Sequence, residues 1–251
     1  GGKTMLTSII IPSYNGAELL QVCLEAIRRH TPEPHEIIVV DDGSRDHTVS
    51  LCVEYRCRFI RFPRNRGFPV ACNAGLRLAT GDLLLLLNND VIVADRWLGN
   101  LQACLLSDPS IGIVGPCTNY ASGQQRVKEL PYETLDQYMR MSDTLNQPNA
   151  SRWREVSRLI GFCMLMRRDL PGKVGLLDER YAPGHYEDDD YCHRVRMAGY
   201  KLMLAGDTFV HHMGSASFRK QPARQLKRIL QRNRRLFVSK WGYDPRMMIH
   251  E

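Results

Sequence analysis

The sequence predicts an α/β fold in which a mostly parallel central sheet is flanked by helices and followed by an amphipathic helical extension. Three observations lead to this prediction. Short aliphatic runs alternate with segments of helical hydrophobic spacing through the first half of the chain. Polar residues and glycines follow these runs directly, as they do at the carboxyl ends of parallel strands. Near the C-terminus, apolar and basic residues alternate at helical spacing.

The elements of the first half follow from this alternation in chain order. The continuous apolar run at 6–12 indicates a strand buried on both faces, and the next apolar residues keep helical spacing up to Ile27. The remaining predicted elements are a strand at 36–40, a helix at 46–55, a strand at 58–62, a helix at 68–79 and a central strand at 83–87.

The second half is predicted with a looser pattern. A helix should end near Leu106, and a polar stretch at about 117–154 is expected to be mobile or to face a substrate. Gly199 should close a helix that begins at Glu187. The predicted strands lie near 111–114, 159–166, 201–205 and 208–211.

Composition limits the function classes. Residues 216–251 hold ten Lys and Arg against Asp244 and Glu251, a balance of +8, whereas the whole chain carries +7. The helix predicted at 221–240 could present a solvated basic face, or it could contact an acidic membrane or a diphosphate-bearing acceptor.

The chain lacks an aromatic-interleaved basic motif, which argues against nucleic-acid binding. The longest aliphatic run, 83–87, is far below the roughly 20 residues of a membrane span. Eight scattered cysteines favour reduced thiols and a cytoplasmic location, with peripheral contact on the inner face of the membrane as the second interpretation.

Four polar clusters follow predicted strands, where ligands of open α/β sheets bind. They are residues 13–15, 41–44, 65–67 and 88–90. In the second cluster, the Asp42 carboxylate could accept hydrogen bonds from a pyrimidine N–H or from ribose hydroxyls, and Gly43 would allow close approach of the backbone. An ordinary Asp-Gly turn explains the same residues equally well at this point.

Asp90 ends the central strand and is the candidate ligand for a divalent cation bridged to a diphosphate. Such a cation would offset the charge of a departing nucleoside diphosphate. Asn88 offers only a neutral carbonyl, so a further ligand should come from elsewhere, and a histidine in the 211–215 segment is the candidate. A lone histidine at a strand end can also be purely structural.

The densest acidic cluster is 187–190, before a basic helix. On a helix these four carboxylates fan through about 300°, so they cannot all face one partner. We predict that Asp188 and either Glu187 or Asp190 face the cleft, with Asp188 as the general base. Stabilisation by the helix dipole accounts for the other members.

Taken together, these segments resemble the family-two glycosyltransferases of the GT-A, Rossmann-like fold. The matching pieces run in order at 8–15, 39–44, 65–68, 73–75, 81–82 with 88–90, 161–167, 187–190, 198–200 and 212–215. The chain departs from the family's Asp-x-Asp motif at Asn88. The resemblance implies a metal site of Asp90 and His212 that holds Mn²⁺ or Mg²⁺, and Asp188 as the catalytic base. The donor-binding residues are expected to be Pro12, Tyr14, Asn15, Asp42, Asn65, Arg66, Asn88 and Asn89. The acceptor side is expected to include Gly161, Glu187 and Asp190.

The resemblance implies an inverting transfer of a sugar from a nucleotide-diphosphate sugar, with UDP preferred, to a hydroxyl of a glycan, a lipid-linked glycan or a protein. It also implies a transferase domain at 1–217, with a nucleotide-binding half at about 5–95 and an acceptor-side half at about 96–217, before a basic extension at 218–251. Two alternatives remain open. A sugar-nucleotide pyrophosphorylase shares the sheet and metal site but usually has a Gly-rich basic loop after strand one, and a catalytically inactive nucleotide- or glycan-binding module would have lost its metal.

Overall fold

The computed structural model describes residues 4–214 and 221–249. The first half forms a parallel four-stranded sheet in the order β3-β2-β1-β4. Its strands are β1 (Thr7–Ser13), β2 (His35–Asp41), β3 (Arg58–Arg61) and β4 (Leu83–Leu87). The helices that connect them are α1 (Ala17–His30), α2 (Thr48–Glu54) and α3 (Phe68–Leu78).

The second half extends this sheet with strands of mixed direction. Its strands are β5 (Val91–Ile92), β6 (Ile111–Thr118), β7 (Trp153–Val156), β8 (Cys163–Arg167) and β9 (Lys201–His212). Its helices are α4 (Trp97–Leu106), α5 (Leu135–Arg140), α6 (Ser142–Leu145), α7 (Leu170–Val174), α8 (Glu187–Met197) and α9 (Ala223–Trp241). Short 3-10 turns lie at Ala150–Arg152, Glu179–Tyr181 and Pro245–Met248.

Strand β8 joins the two halves because it runs antiparallel between β4 and β6. Strand β9 then lies parallel to β6, while β5 and β7 pair antiparallel with different parts of β9. The far end of β9 therefore returns to the end of β4, since β5 follows β4 after three residues. This return brings distant parts of the sequence to one edge of the sheet.

Helices on both faces explain why the central strands read as unbroken apolar runs. Along β1, Ile9 and Ile11 pack into the core cluster that contains Leu20 of α1. Ile10 points to the opposite face, into the cluster that contains Cys72 of α3. The predicted α/β class, with a central sheet flanked by helices and a C-terminal helix, is confirmed.

Three details differ from the sequence prediction. The strands predicted at 201–205 and 208–211 are one strand, because Gly206 permits close approach of Arg152 rather than a turn: a Cβ there would lie 2.4 Å from the Arg152 carbonyl oxygen. The strand predicted at 159–166 begins only at Cys163. No helix is predicted within 117–154, yet that stretch contains α5 and α6, and the Tyr138 hydroxyl of α5 donates to the Ile92 carbonyl at 2.6 Å.

The C-terminal helix α9 buries Asn233 and Phe237 against the rest of the molecule. Across 4–214 and 221–249, none of the helices combines the length and apolar character that a membrane crossing needs. The proposed domain boundary at 217–218 and Ser215 of the histidine segment lie outside the described residues.

Candidate active site

The loops after β1 and β2 are joined by hydrogen bonds at the carboxyl end of the sheet. The N–H of Asp42 donates to the Ser13 carbonyl at 2.8 Å, and the N–H of Asn15 donates to the Ser44 hydroxyl at 2.9 Å. The N–H of Arg45 donates in turn to the Asn15 side-chain oxygen at 2.8 Å. The predicted residues of the first two clusters therefore lie together, as the parallel register of β1 and β2 requires.

Asp42 organises the loop after β3. Its carboxylate, 4% exposed, accepts the N–H groups of Arg66 at 2.7 Å and Gly67 at 2.9 Å and the Asn65 amide at 3.2 Å. Burial raises the pKa of Asp42, while the two backbone donors act in the opposite direction. Because an ionised carboxylate offers about four acceptor positions, one remains for a ligand N–H or hydroxyl. Asp42 thus both shapes this loop and can bind a ligand.

Two glycines allow three backbone segments to meet beside Asp42. At Gly43, with φ +80°, an added Cβ would lie 2.5 Å from the Arg64 carbonyl carbon. At Gly67, with φ +98°, it would lie 2.8 Å from the Cα of Pro183. The N–H of Phe68 also donates to the Pro183 carbonyl at 3.0 Å. The loop after β3 therefore touches the segment that leads into α8.

The end of β4 carries an acid–histidine pair. The Nε2 atom of His212 lies 3.1 Å from Oδ1 of Asp90, and their side chains are 11% and 4% exposed. The other ring nitrogen of His212, Nδ1, lies 3.0 Å from the Tyr120 carbonyl, which can only accept, so Nδ1 carries the proton. Asn89 bonds the Ser13 hydroxyl at 3.1 Å, and Asn88 Oδ1 is buried without a hydrogen-bond partner among the described residues.

These groups fit a divalent cation that also binds substrate oxygens. A carboxylate, an imidazole and an unpaired amide oxygen suit Mn²⁺ and are compatible with Mg²⁺. Within the part of the chain that the structure describes, no group of three or more His, Cys, Asp or Glu could enclose a metal by itself. The Asp90–His212 pair would therefore leave coordination positions for a diphosphate and water.

Asp188 lies in the first turn of α8, half-buried, with both carboxylate oxygens oriented by backbone donors. The N–H of Gly161 donates to Oδ2 and the N–H of Asp189 to Oδ1, each at 2.9 Å. A Cβ on Gly161 would lie 3.4 Å from the Asp188 Cβ. The strand β8 thus places its preceding loop directly beside the predicted base.

The Gly161–Phe162 segment connects Asp188 to the Asp90–His212 pair. The Phe162 ring is stacked on the His212 ring, with centroids 5.5 Å apart and planes inclined by 22°. The Phe162 carbonyl accepts the N–H of Asn88 at 3.0 Å. The two carboxylates that the sequence predicts to converge therefore flank one two-residue segment, although 98 positions separate them in the chain.

The other acids of the 187–190 cluster lie in different surroundings. Glu187 is 6% exposed and its Oε2 has no hydrogen-bond partner among the described residues; burial, followed by the charge of Asp188, raises its pKa well above the ordinary value. Asp189 pairs with Arg158 at 2.5 Å, and burial together with the Asp188 charge raises the pKa of Asp189 to about 6. Glu187 and Asp189 are therefore desolvated neighbours of the predicted base.

Asp190 faces away from this group. It is fully buried and accepts from Arg194 at 3.0 Å and from Lys240 and Trp241 at 2.7 Å each. The structure therefore brings Glu187 rather than Asp190 next to Asp188. Arg158 and Lys240 could not be predicted as partners, because each lies at least 31 positions from the acid that it pairs with and among other basic residues.

Comparison with known proteins adds the family. The model of a family described as glycosyl transferase family 2 matches residues 8–175. This range includes the loops after β1 to β4 and Gly161, but it ends before Asp188 and His212.

The chain is 27% identical over 237 residues to the uncharacterised protein y4gI of Sinorhizobium fredii, which covers 85% of this chain and 25% of that protein. It is 23% identical over 211 residues to glycosyltransferase GlyG of Streptococcus pneumoniae, covering 80% of this chain and 68% of that protein. The chain thus spans a quarter of the first relative's length.

Two solved structures share the fold. The mannosyltransferase PcManGT of Pyrobaculum calidifontis, solved with GDP-Man and Mn²⁺, gives a TM-score of 0.63 at 23% identity, covering 85% of this chain and 59% of that chain. GalNAc-T7, solved with UDP, GalNAc and Mn²⁺, gives a TM-score of 0.67 at 21% identity, covering 84% of this chain and 44% of that chain.

Proposed function

Because this chain belongs to glycosyl transferase family 2, we propose that it transfers a sugar from a nucleotide-diphosphate sugar, preferably a UDP-sugar, to an acceptor hydroxyl with inversion at the anomeric carbon. The observation that carries this proposal is the position of Asp188 and of the Asp90–His212 pair on either side of Gly161–Phe162. A general base and a diphosphate site on either side of one segment suit a single displacement.

The nucleoside is proposed to lie over the loops after β1, β2 and β3. The proposed contacts are Pro12, Tyr14, Asn15, Asp42, Asn65 and Arg66, with Asn88 and Asn89 toward the diphosphate. The free acceptor position on the Asp42 carboxylate supports a pyrimidine N–H or ribose hydroxyl there. The related structures were solved with GDP-Man and with UDP, so a nucleoside diphosphate is the shared ligand class.

Asp90 and His212 are proposed to hold Mn²⁺ or Mg²⁺. When bound, the cation supplies positive charge that offsets the negative charge on the departing diphosphate. The hydrogen bond between His212 Nδ1 and the Tyr120 carbonyl leaves the Nε2 lone pair available for a metal. The presence of Mn²⁺ in both related structures is consistent with this assignment.

In the proposed reaction, the acceptor oxygen attacks the anomeric carbon while its proton passes to the Asp188 carboxylate. The bond from that carbon to the diphosphate oxygen breaks, and the electron pair leaves with the nucleoside diphosphate. The backbone N–H groups of Gly161 and Asp189 donate to the Asp188 carboxylate and fix its orientation. Gly161 and Glu187 are proposed to line the acceptor side; Asp190 is omitted, because Arg194, Lys240 and Trp241 engage its carboxylate.

The acceptor is proposed to be a glycan, a lipid-linked glycan or a protein hydroxyl, in the cytoplasm. The outward face of α9 carries exposed Arg224, Lys227, Arg228 and Arg235, which would suit peripheral contact with an anionic inner membrane face.

The test combines binding and turnover. Calorimetry with UDP, GDP and dTDP, with and without Mn²⁺, should give metal-dependent binding that is tightest for UDP. A panel of nucleotide sugars should then identify a donor that is hydrolysed or transferred, and NMR of the product should show the inverted anomer. Formation of a nucleotide sugar from a nucleoside triphosphate and a sugar phosphate would instead indicate a pyrophosphorylase, and binding without any turnover would indicate an inactive module.

A further inference from the structure

The segment that enters α8 has an unusual backbone. Three consecutive residues, Gly184, His185 and Tyr186, have positive φ angles of 153°, 78° and 71°. His185 and Tyr186 adopt a conformation that residues with side chains avoid, so surrounding contacts must hold it. Because Glu187 begins α8 immediately afterwards, the geometry of this segment sets the position of Asp188.

Asn233 of α9 supplies the main polar contacts to this segment. The residue is fully buried, and its side-chain amide nitrogen lies 2.8 Å from the carbonyl oxygens of Tyr181 and Gly184 and 2.9 Å from that of His185. Buried carbonyl groups outside helices and strands need such donors. One side chain, distant in sequence, therefore serves three carbonyls of the strained segment; because its amide has two N–H groups, one hydrogen is shared between two carbonyls.

A second set of contacts from α9 holds the first turn of α8. Lys240 Nζ and Trp241 Nε1 of α9 both donate to Asp190 Oδ1 at 2.7 Å. Between the two polar contacts, Phe237 packs against Tyr186 in a small apolar cluster. Asp188 thus lies between Tyr186 and Asp190, two residues that α9 holds.

We propose that α9 is a positioning element of the transfer site and that Asn233 is its principal positioning residue, acting on Asp188 through the 181–186 segment. This inference rests on the proposed role of Asp188 as the base. Among residues 4–214 and 221–249, the side-chain hydrogen bonds of α9 that leave the helix go to residues 178, 181, 182, 184, 185, 190 and 244. None of these bonds goes directly to the loops proposed to bind the nucleoside; the nearest link to them is Pro183, whose carbonyl accepts the N–H of Phe68.

The charge pattern of α9 agrees with this role. Its basic residues do not all face solvent, since Lys240 is part of an ion-pair group with Asp178 and Asp190. Asp190, the acid that sequence reasoning could not separate from the site acids, is the anchor for this group. Helix α9 is therefore tied to Asp178 and Asp190 by ion pairs.

The test uses Asn233→Asp, which keeps the size of the side chain but replaces the amide donors with a carboxylate facing three carbonyl groups. Arg235→Gln, on the exposed face of the same helix, is the matched control. We expect kcat to fall about 10- to 100-fold in Asn233→Asp, because a small displacement of the base is costly. The Kd for UDP with Mn²⁺ should change by a smaller factor than kcat, because Asn233 itself bonds the 181–185 segment and no residue of the loops proposed to bind the nucleoside. The control Arg235→Gln should match the wild type in kcat and in the Kd for UDP.

A wild-type kcat in folded Asn233→Asp, or an equal loss in donor binding and in kcat, would overturn the inference. Trp241→Phe gives a milder variant that keeps the ring packing and removes one donor to Asp190; we expect a smaller fall in kcat with unchanged KM for the donor.

Hydrogen exchange followed by mass spectrometry gives a readout that does not depend on activity. Amides 184–190 should exchange at least about tenfold faster in Asn233→Asp than in the wild type or in Arg235→Gln, whereas residues 38–45 should not change. Unchanged exchange at 184–190 would refute the positioning role. If the wild type shows no transfer but the variants give the expected exchange difference, the proposed function is refuted instead. Helix α9 then remains the element that orders the segment.

Discussion

Removing Arg158 should destabilise the protein in a strongly pH-dependent way. The Arg158 and Asp189 side chains are 10% and 1% exposed, and their closest atoms lie 2.5 Å apart. Breaking a buried pair by removing one partner costs about 3–5 kcal/mol when the remaining charge cannot escape. In Arg158→Met the apolar stem is largely kept, so the loss of free energy of unfolding reports mainly on the unpaired Asp189 carboxylate.

Protonation of Asp189 limits the loss of free energy of unfolding in Arg158→Met and makes that loss larger at high pH than at low pH. With Arg158 present, burial and the Asp188 charge already raise the pKa of Asp189 to about 6, above its value in the unfolded chain. A carboxyl with a raised pKa contributes stability at low pH that is lost as the pH rises through the folded-state pKa. Neutralising such a group at pH 8, about two pH units above this pKa, costs roughly 3 kcal/mol. The variant should therefore lose about 3–4 kcal/mol near pH 8 and about 1 kcal/mol near pH 5.

Urea unfolding followed by tryptophan fluorescence at both pH values measures the two differences. Lys173→Met, which breaks an exposed pair with Asp169, is the control and should show no comparable change at either pH. The double variant Arg158→Met/Asp189→Leu should recover most of the stability and lose the pH dependence, because an apolar pair can replace a buried ion pair. An equal loss at both pH values, or a loss below about 1 kcal/mol at pH 8, would refute the reasoning.

Three further predictions concern the site. Asp42→Asn should weaken UDP binding about 5- to 150-fold by calorimetry, because an amide nitrogen replaces a carboxylate oxygen and the acceptor proposed for the ligand is lost, at about 1–3 kcal/mol; unchanged affinity would exclude this role. Asn88→Asp should strengthen Mn²⁺ binding in a fluorescence-quenching titration, since it adds a charged oxygen where Oδ1 has no hydrogen-bond partner among the described residues; weaker binding would contradict it. Gly67→Ala should lower the Tm by several degrees, because its Cβ would meet the Pro183 backbone at 2.8 Å with φ at +98°; a wild-type melting curve would exclude the close contact.

The first half of the fold could be predicted from the sequence because its signals are local. The run at 83–87 is buried along its whole length, and the polar residues after β1 to β4 mark the carboxyl edge of a parallel sheet. The second half was harder to predict, because Gly206 and Asp207 resemble a turn. Gly206 instead lets β9 pass close to Arg152, a contact between segments more than 50 positions apart.

The candidate site divides in the same way. Asp90, Asp188 and His212 could be nominated from their position after strands or at a helix start, and they do lie around one segment. Which acid of 187–190 faces which partner depends on Arg158 and Lys240. Those contacts join distant parts of the chain, and neither periodicity nor composition encodes them.

The most direct test of the central claim is the turnover of Asp188→Asn, measured beside its affinity for UDP and Mn²⁺ and with Asp169→Asn as the surface control. The substitution keeps an oxygen that can accept the Gly161 N–H, but it removes the capacity to take a proton. Turnover should fall about 10²- to 10⁴-fold while the Kd for UDP stays within about twofold of the wild type. Near-normal transfer by this variant would contradict the assignment of Asp188 as the base, and with it the account of the site.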